Sequence, residues 1–269
     1  ILGAGLMGGS VALAARARGL ARSITAVDRS TRPEIEEARA FDEWIDARDE
    51  AAKERAYSGA DLILLCAPVR SIIAELPLAL RSRAIVTDIG STKSVIARAA
   101  RSLPDSARFV PGHPMAGHHE GGLNHARPDL YEGRKWLLCP ENTAPEALEP
   151  VRDFVRALGA ELVEMNADEH DRSVAFTSHV PQVVASALTV LAEREHAASS
   201  AGPGFASTTR VAGGAESMWR DIFETNGPAI GRALEQLGEE LRRAGRDLQE
   251  EDPNGVLLLL EEARALRHR

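Results

Sequence analysis

A histidine held between a glycine and a proline is pre-positioned for proton transfer. His113 stands in such a setting, in Pro111-Gly112-His113-Pro114-Met115-Ala116-Gly117, at the end of an apolar segment. Neutral imidazole is the side chain best suited to accept a proton near pH 7. Upstream, Thr87-Asp88-Ile89-Gly90-Ser91-Thr92-Lys93 places the Ser91 hydroxyl where a strand gives way to a helix. There it reads either as a helix N-cap or as a group facing a ligand crevice. Downstream, Asp171, Ala175 and His179 recur along one helix face, and Pro181 then interrupts that helix. Arg210, in Thr208-Thr209-Arg210-Val211-Ala212, is an isolated guanidinium in an uncharged stretch. It suits bidentate capture of a carboxylate or, equally, a structural salt bridge. His118, His119 and His125 follow His113 closely, so a metal site must be weighed. With no thiolate in the cluster and no HExxH spacing, the pattern favours none.

A second constellation opens the chain, Gly3-Ala4-Gly5-Leu6-Met7-Gly8, between a strand remnant and an apolar helix. Gly3 permits the tight turn, Gly5 leaves room for a pyrophosphate and Gly8 lets the helix approach the strand. The free N–H groups that follow, at Leu6 and Met7, suit phosphate oxygens. Asp28 ends the next strand, where a carboxylate accepts ribose hydroxyls and repels a 2′-phosphate. The reading is therefore NAD, with NADP less favoured, although the neighbouring Arg29 could pair with such a phosphate. Cys66-Ala67-Pro68 closes the most apolar strand. It reads either as close backbone approach to the cofactor or as a plain strand-to-helix turn.

Elements that would position these residues alternate up to Met165. Strands are expected at 24–28, 61–67, 84–88, 109–112, 136–139 and 160–165, with the chain beginning inside an earlier one. Helical periodicity fills 11–18, 72–80, 94–103 and 145–158 between them, which predicts an α/β Rossmann-type domain with a mostly parallel sheet. Beyond Met165 only helical patterns remain, at 168–196, 208–224, 228–248 and 253–267, punctuated by Gly202-Pro203-Gly204, Gly227-Pro228 and Asp252-Pro253. The division expected is a nucleotide-binding domain over 1–165 and an all-helical substrate-binding and dimerisation domain over 166–269. Leu- and Ala-rich stretches such as 256–266 suit a homodimer interface.

Composition bounds the partners. The 269 residues carry 32 Lys plus Arg against 40 Asp plus Glu, a net charge of −8, with no basic stripe for nucleic acid. The longest apolar runs, Leu62–Val69 and Val256–Leu260, are too short to cross a bilayer, and two cysteines favour a reducing cytoplasm over a disulfide-stapled scaffold.

Taken together and in order, GAGLMGGS, TDIGSTK, GHPMAG, HD followed by SHVPQ, and TRVA followed by MWRDIF resemble the prephenate and arogenate dehydrogenase family over nearly the whole chain. The resemblance implies NAD-dependent oxidative decarboxylation of prephenate to 4-hydroxyphenylpyruvate, in tyrosine biosynthesis. It implies His113 as acceptor of a hydrogen bond from the ring hydroxyl, with Ser91 contacting that hydroxyl and helping to orient the ring. It also implies His179 and Arg210 as carboxylate ligands, with His118 nearby. Here His118-His119 replace the small hydroxylated residue that often follows GHPMAG, and Gln182 replaces a frequent second histidine, so prephenate and arogenate both stay open. A β-hydroxyacid-type dehydrogenase would need a lysine in the helical half, and Lys53, Lys93 and Lys135 all lie in the sheet half. A non-catalytic NAD-binding regulator would not need His113, Ser91, His179 and Arg210 to converge on one crevice.

Overall fold

Why the opening glycines matter is visible in a computed structural model, which describes residues 1–117 and 120–267. Leu2 bridges in parallel to Val27 and to Leu65, so the first residues lie in the middle of a sheet. Around them run β1 (Thr25–Asp28), β2 (Glu43–Asp46), β3 (Leu62–Leu65), β4 (Ile85–Asp88) and β5 (Phe109–Val110). The spatial order is β2-β1-Leu2-β3-β4-β5, all parallel. This is the doubly wound order, whose switch point falls between the Leu2 segment and β3, at the glycine turn and Cys66. Helices α1 (Leu6–Ala17), α2 (Glu50–Ser58), α3 (Val69–Arg81) and α4 (Ser94–Arg101) make the crossovers. The central strands are buried on both faces, against clusters centred on Ile72, Leu76 and Ile96 and on Tyr131, Trp136 and Val151.

Two elements escaped the periodicity. β2 has a mostly exposed, polar face and pairs only with β1, so it lacks the apolar run of a central strand. α2 buries only Lys53 and Tyr57, too little for a visible stripe. The strand expected over 109–112 is two strands, because Pro111 carries no N–H to continue the ladder. After it, β6 (Gly112–Pro114) runs antiparallel to β7 (Lys135–Leu138), which pairs in parallel with β8 (Glu161–Glu164). α5 (Pro145–Ala157) lies between β7 and β8 in the chain.

The helical half begins with α6 (Ala167–Val174), a π-helical turn (Ala175–His179) and α7 (Val180–Arg194). The expected break at Pro181 is absorbed: the widened turn just before it accommodates the missing N–H, and the helix continues. By length and composition the run Ala167–Arg194, with mean hydropathy 1.4, could cross a membrane. In this fold its buried His170, Asp171 and His179 make polar contacts with the sheet half and with the later helices. The helix expected over 208–224 divides into α8 (Pro203–Thr209) and a 3-10 turn (Arg210–Gly213) before α9 (Glu216–Gln249) begins, Gly213-Gly214 supplying the break. Gly227-Pro228, expected to end a helix, lies inside α9. There Ile222, Ile230 and Ala233 bury one face and Asn226 donates to the Asp171 carbonyl at 2.8 Å, holding the helix through the proline. α10 (Asn254–Arg267) follows and buries no residue.

Candidate active site

At the switch point each glycine has a distinct geometric reason. Gly3 has φ +87°, and a Cβ there would stand 2.2 Å from the Cys66 carbonyl oxygen; one on Gly8 would stand 2.0 Å from the Gly3 oxygen. A Cβ on Gly5 would meet nothing within 4 Å. Gly5 therefore faces open space at the α1 N-terminus, where no side chain caps the helix and no acidic residue occupies the first turn. This cradle fits a diphosphate, which would supply the acceptors and the negative charge that those N–H groups lack. Leu6 is buried, and the Met7 carbonyl accepts a hydrogen bond from the Tyr131 hydroxyl at 2.7 Å, fixing the first turn from behind.

Asp28, half-buried at the end of β1, accepts from the Ala4 N–H at 2.7 Å and from the Ser30 N–H and hydroxyl at 2.8 and 2.6 Å. A carboxylate has about four lone-pair sites, so capacity for ribose hydroxyls remains. Arg29 is exposed. Cys66 and Ala67 are half-buried and Pro68 exposed, so the close approach at this strand end comes from backbone rather than side chains. Burial pushes the Cys66 thiol up to about 12, which leaves it unreactive.

The second cluster forms at the ends of β4 and β6. Asp88 and Lys93, both fully buried, make an ion pair. Asp88 Oδ1 accepts the Gly112 N–H at 3.0 Å, and Lys93 Nζ donates to the Gly112 carbonyl at 2.7 Å. Both polar groups of the residue before His113 are thereby clamped. On the ring itself, His113 Nδ1 lies 2.8 Å from His170 Nε2, and His170 Nδ1 lies 2.8 Å from Asp171 Oδ1. Asp171 in turn accepts the N–H groups of Lys93 at 2.7 Å and Ser94 at 2.9 Å, serving the N-terminus of α4.

Burial opposes charge on Asp171, but the hydrogen bonds from His170, Lys93 and Ser94 outweigh it and hold the carboxyl below its usual range. Burial lowers His170, with Asp171 partly opposing. His113, half-buried, is held well below the usual imidazole range by desolvation, then by His170, Lys93 and His179. Its neutral form is thereby favoured.

His179 is buried, and desolvation pushes it down to about 4. Asn226 Nδ2 donates to the Asp171 carbonyl, which orients the amide, and its other proton points to His179 Nδ1 at 3.3 Å. His179 Nε2 then carries the ring proton and is a neutral donor. Trp219 stands edge-on to this ring at 6.0 Å.

Ser91 is half-buried in the β4–α4 turn and makes no hydrogen bond among the described residues. It is not the cap of α4, a task that Asp171 performs, and His170 rather than Ser91 holds the His113 ring. Arg210 is exposed and pairs with no carboxylate among the described residues. Its 3-10 turn packs against α7. His118 lies outside the described residues. Sequence reasoning missed His170, Lys93, Asp88 and Asn226 as site residues. Only the adjacency of His170 to Asp171 and of Lys93 to the Ser91 motif hinted at them.

Comparison with known proteins agrees across both halves. A profile described as prephenate dehydrogenase, nucleotide-binding domain, matches residues 11–164, and one described as prephenate dehydrogenase, dimerization domain, matches 166–262. Cyclohexadienyl dehydrogenase of Zymomonas mobilis is 30% identical over 281 residues, spanning 99% of this chain and 94% of the relative. Prephenate dehydrogenase of Bacillus subtilis is 29% identical, spanning 99% and 74%. Among solved structures, prephenate dehydrogenase of A. aeolicus in complex with hydroxyphenyl propionate and NAD+ superposes with a TM-score of 0.89 at 28% identity, covering 99% and 96% of the two chains. Arogenate dehydrogenase of Synechocystis gives 0.83 at 28%, covering 99% and 97%. With its glycine cradle, its buried histidine cluster and matches that run through both halves, this chain belongs to the prephenate dehydrogenase family of oxidoreductases.

Proposed function

We propose that the chain catalyses NAD-dependent oxidative decarboxylation of prephenate to 4-hydroxyphenylpyruvate, as a cytoplasmic homodimer joined through its helical half. The observation that carries this reading is the neutral His113, clamped through Gly112 and His170 at the same sheet edge as an uncapped glycine cradle. NAD, when bound, supplies the hydride acceptor. Gly3, Gly5 and Gly8 shape its pyrophosphate seat, the N–H groups of Leu6 and Met7 meet the phosphates, and Asp28 takes the ribose hydroxyls. The Asp28 carboxylate favours NAD over NADP, with the exposed Arg29 beside it. Cys66, Ala67 and Pro68 line the floor with backbone.

On the substrate side, His113 Nε2 accepts the hydrogen bond of the ring hydroxyl, which raises electron density on oxygen as hydride departs. Ser91, which makes no hydrogen bond among the described residues, orients that hydroxyl. His179 donates through Nε2, and the exposed Arg210 meets a carboxylate. The departing carboxylate must become neutral carbon dioxide, so tight ion pairing at that group would oppose the reaction. The two free cysteines accord with a reducing compartment.

The test is the absorbance of reduced nicotinamide on mixing the chain with NAD or NADP and with prephenate or, separately, arogenate. The prephenate–NAD pair is expected to give the largest kcat/KM. No rise with any pairing would return the chain to a binding role.

A further inference from the structure

Behind His113 lie two buried groups, His170 and Asp171, to which the proposed reaction gives no role. Asp171 Oδ1 receives the Lys93 N–H at 2.7 Å and Oδ2 the Ser94 N–H at 2.9 Å; main-chain N–H groups only donate, so this carboxylate is an acceptor. The remaining contact on Oδ1, His170 Nδ1 at 2.8 Å, must therefore bring a proton. His170 is fully buried, and a neutral imidazole with its proton on Nδ1 has a lone pair on Nε2. That lone pair faces His113 Nδ1 at 2.8 Å, so the His113 proton is on Nδ1. The chain of donors has one direction, set at its far end by the N-terminus of a helix.

We propose that His170 and Asp171 are positioning residues for proton transfer at His113: they hold its proton on Nδ1, leave Nε2 bare towards the substrate, and share the positive charge that Nε2 acquires. This rests on the dehydrogenase reading for its chemistry but not for its geometry. In the reaction the carbinol C–H leaves as hydride to oxidised nicotinamide while the hydroxyl lends its proton to His113 Nε2. The bond to the ring carboxylate then breaks, its electron pair completes the aromatic ring, and carbon dioxide departs. The lent proton returns to the ring oxygen, so no net proton is released. During the loan the cation on His113 is stabilised through Nδ1–H to His170 and, beyond it, by the Asp171 carboxylate. The charged and titratable groups around the ring are Lys93 and Asp88 from the sheet half, His170 and Asp171 from α6, and His179 from the π turn. The Lys93 ammonium is neutralised by Asp88, which leaves Asp171 as the carboxylate directed at the relay.

Heteronuclear NMR of histidine-labelled chain, assigned with His113→Asn, reads the tautomer without turnover. The expected spectrum has His113 protonated at Nδ1 and bare at Nε2; a proton on Nε2 overturns the proposal. In kinetics with prephenate, His170→Phe should lower kcat roughly 10- to 100-fold and change KM little. His170→Gln keeps an acceptor for the Nδ1 proton and should recover most of that loss. Asp171→Asn removes the counter-charge, so the acid limb of the kcat profile should move to lower pH. Unchanged kcat in His170→Phe together with an unmoved limb in Asp171→Asn also overturns the proposal. Should His170→Phe fail to fold, the Gln variant and the wild-type spectrum still decide it. A wild-type chain inactive on prephenate refutes the dehydrogenase reading instead, and the spectrum alone then judges the relay.

Discussion

The two halves of the molecule handle apolar surface in opposite ways. The sheet half encloses its large side chains: Phe41, Ile72, Leu76, Tyr131 and Trp136 are all almost fully buried. The helical half gathers a small cluster, Ala175, Val180, Ile222, Ile230 and Ala233, and fills much of its remaining interior with His170, Asp171, His179, Gln182 and Asn226. Its apolar residues point outward instead. Leu257, Leu258, Leu259 and Leu260 on α10, Leu188 and Leu191 on α7, and Leu241 and Leu248 on α9 are all exposed, Leu258 to 65%. A domain that gives its interior to polar chemistry must find its hydrophobic stabilisation elsewhere, and the family's dimerization domain matches this region. The sheet half encloses its own core, whereas the helical half leaves a leucine-rich surface uncovered.

The largest test of this contrast cuts the chemistry while sparing the seat. His113→Asn should lower kcat about 1000-fold, within the range of a positioned base, and leave NAD affinity unchanged by calorimetry. Next, replacing Leu258 and Leu260 together by Glu should turn a dimer into a monomer by light scattering and lower activity at least about tenfold, while NAD still binds. A variant that stays dimeric would show that the α10 face is not the interface. Arg210→Gln tests the carboxylate contact proposed for this exposed guanidinium. It should raise KM for prephenate about tenfold with kcat nearly constant, and a normal KM would exclude Arg210 from binding.

The smallest effect is on stability. His179 is buried neutral, with its folded-state value pushed down to about 4 against 6.5 unfolded. Its contribution is complete above 6.5 and is lost as pH falls, because the unfolded chain takes up the proton first. Urea midpoints should show roughly 2 kcal/mol lost between pH 7 and pH 5 from this group, and His179→Gln should flatten the slope.

Legibility in the sequence followed physical strength of signal. The central strands were readable because burial on both faces demands unbroken apolar runs, as in Leu62–Leu65. The edge strand Glu43–Asp46 was not, since one polar, half-exposed face leaves no such run. Gly227-Pro228 carried the local signature of a helix end, and tertiary anchoring at Asn226 and Ile230 overrode it. In the candidate site His113, His179 and Ser91 were visible through their motifs. His170, Lys93 and Asp88 were hidden, since each acts through a partner distant in sequence.

By itself the sequence determined the glycine turn, the strand–helix alternation, the pre-positioned His113 and the family, because these depend on local sterics and on motifs read in order. Tertiary structure alone decided which groups stand behind His113. Nothing in the residue order says that His170 reaches across 57 positions to its ring, or that Asp171 accepts the amides of Lys93 and Ser94 at the start of α4. Proton position is a property of hydrogen bonds with direction, and those directions exist only once α6 has packed against the N-terminus of α4.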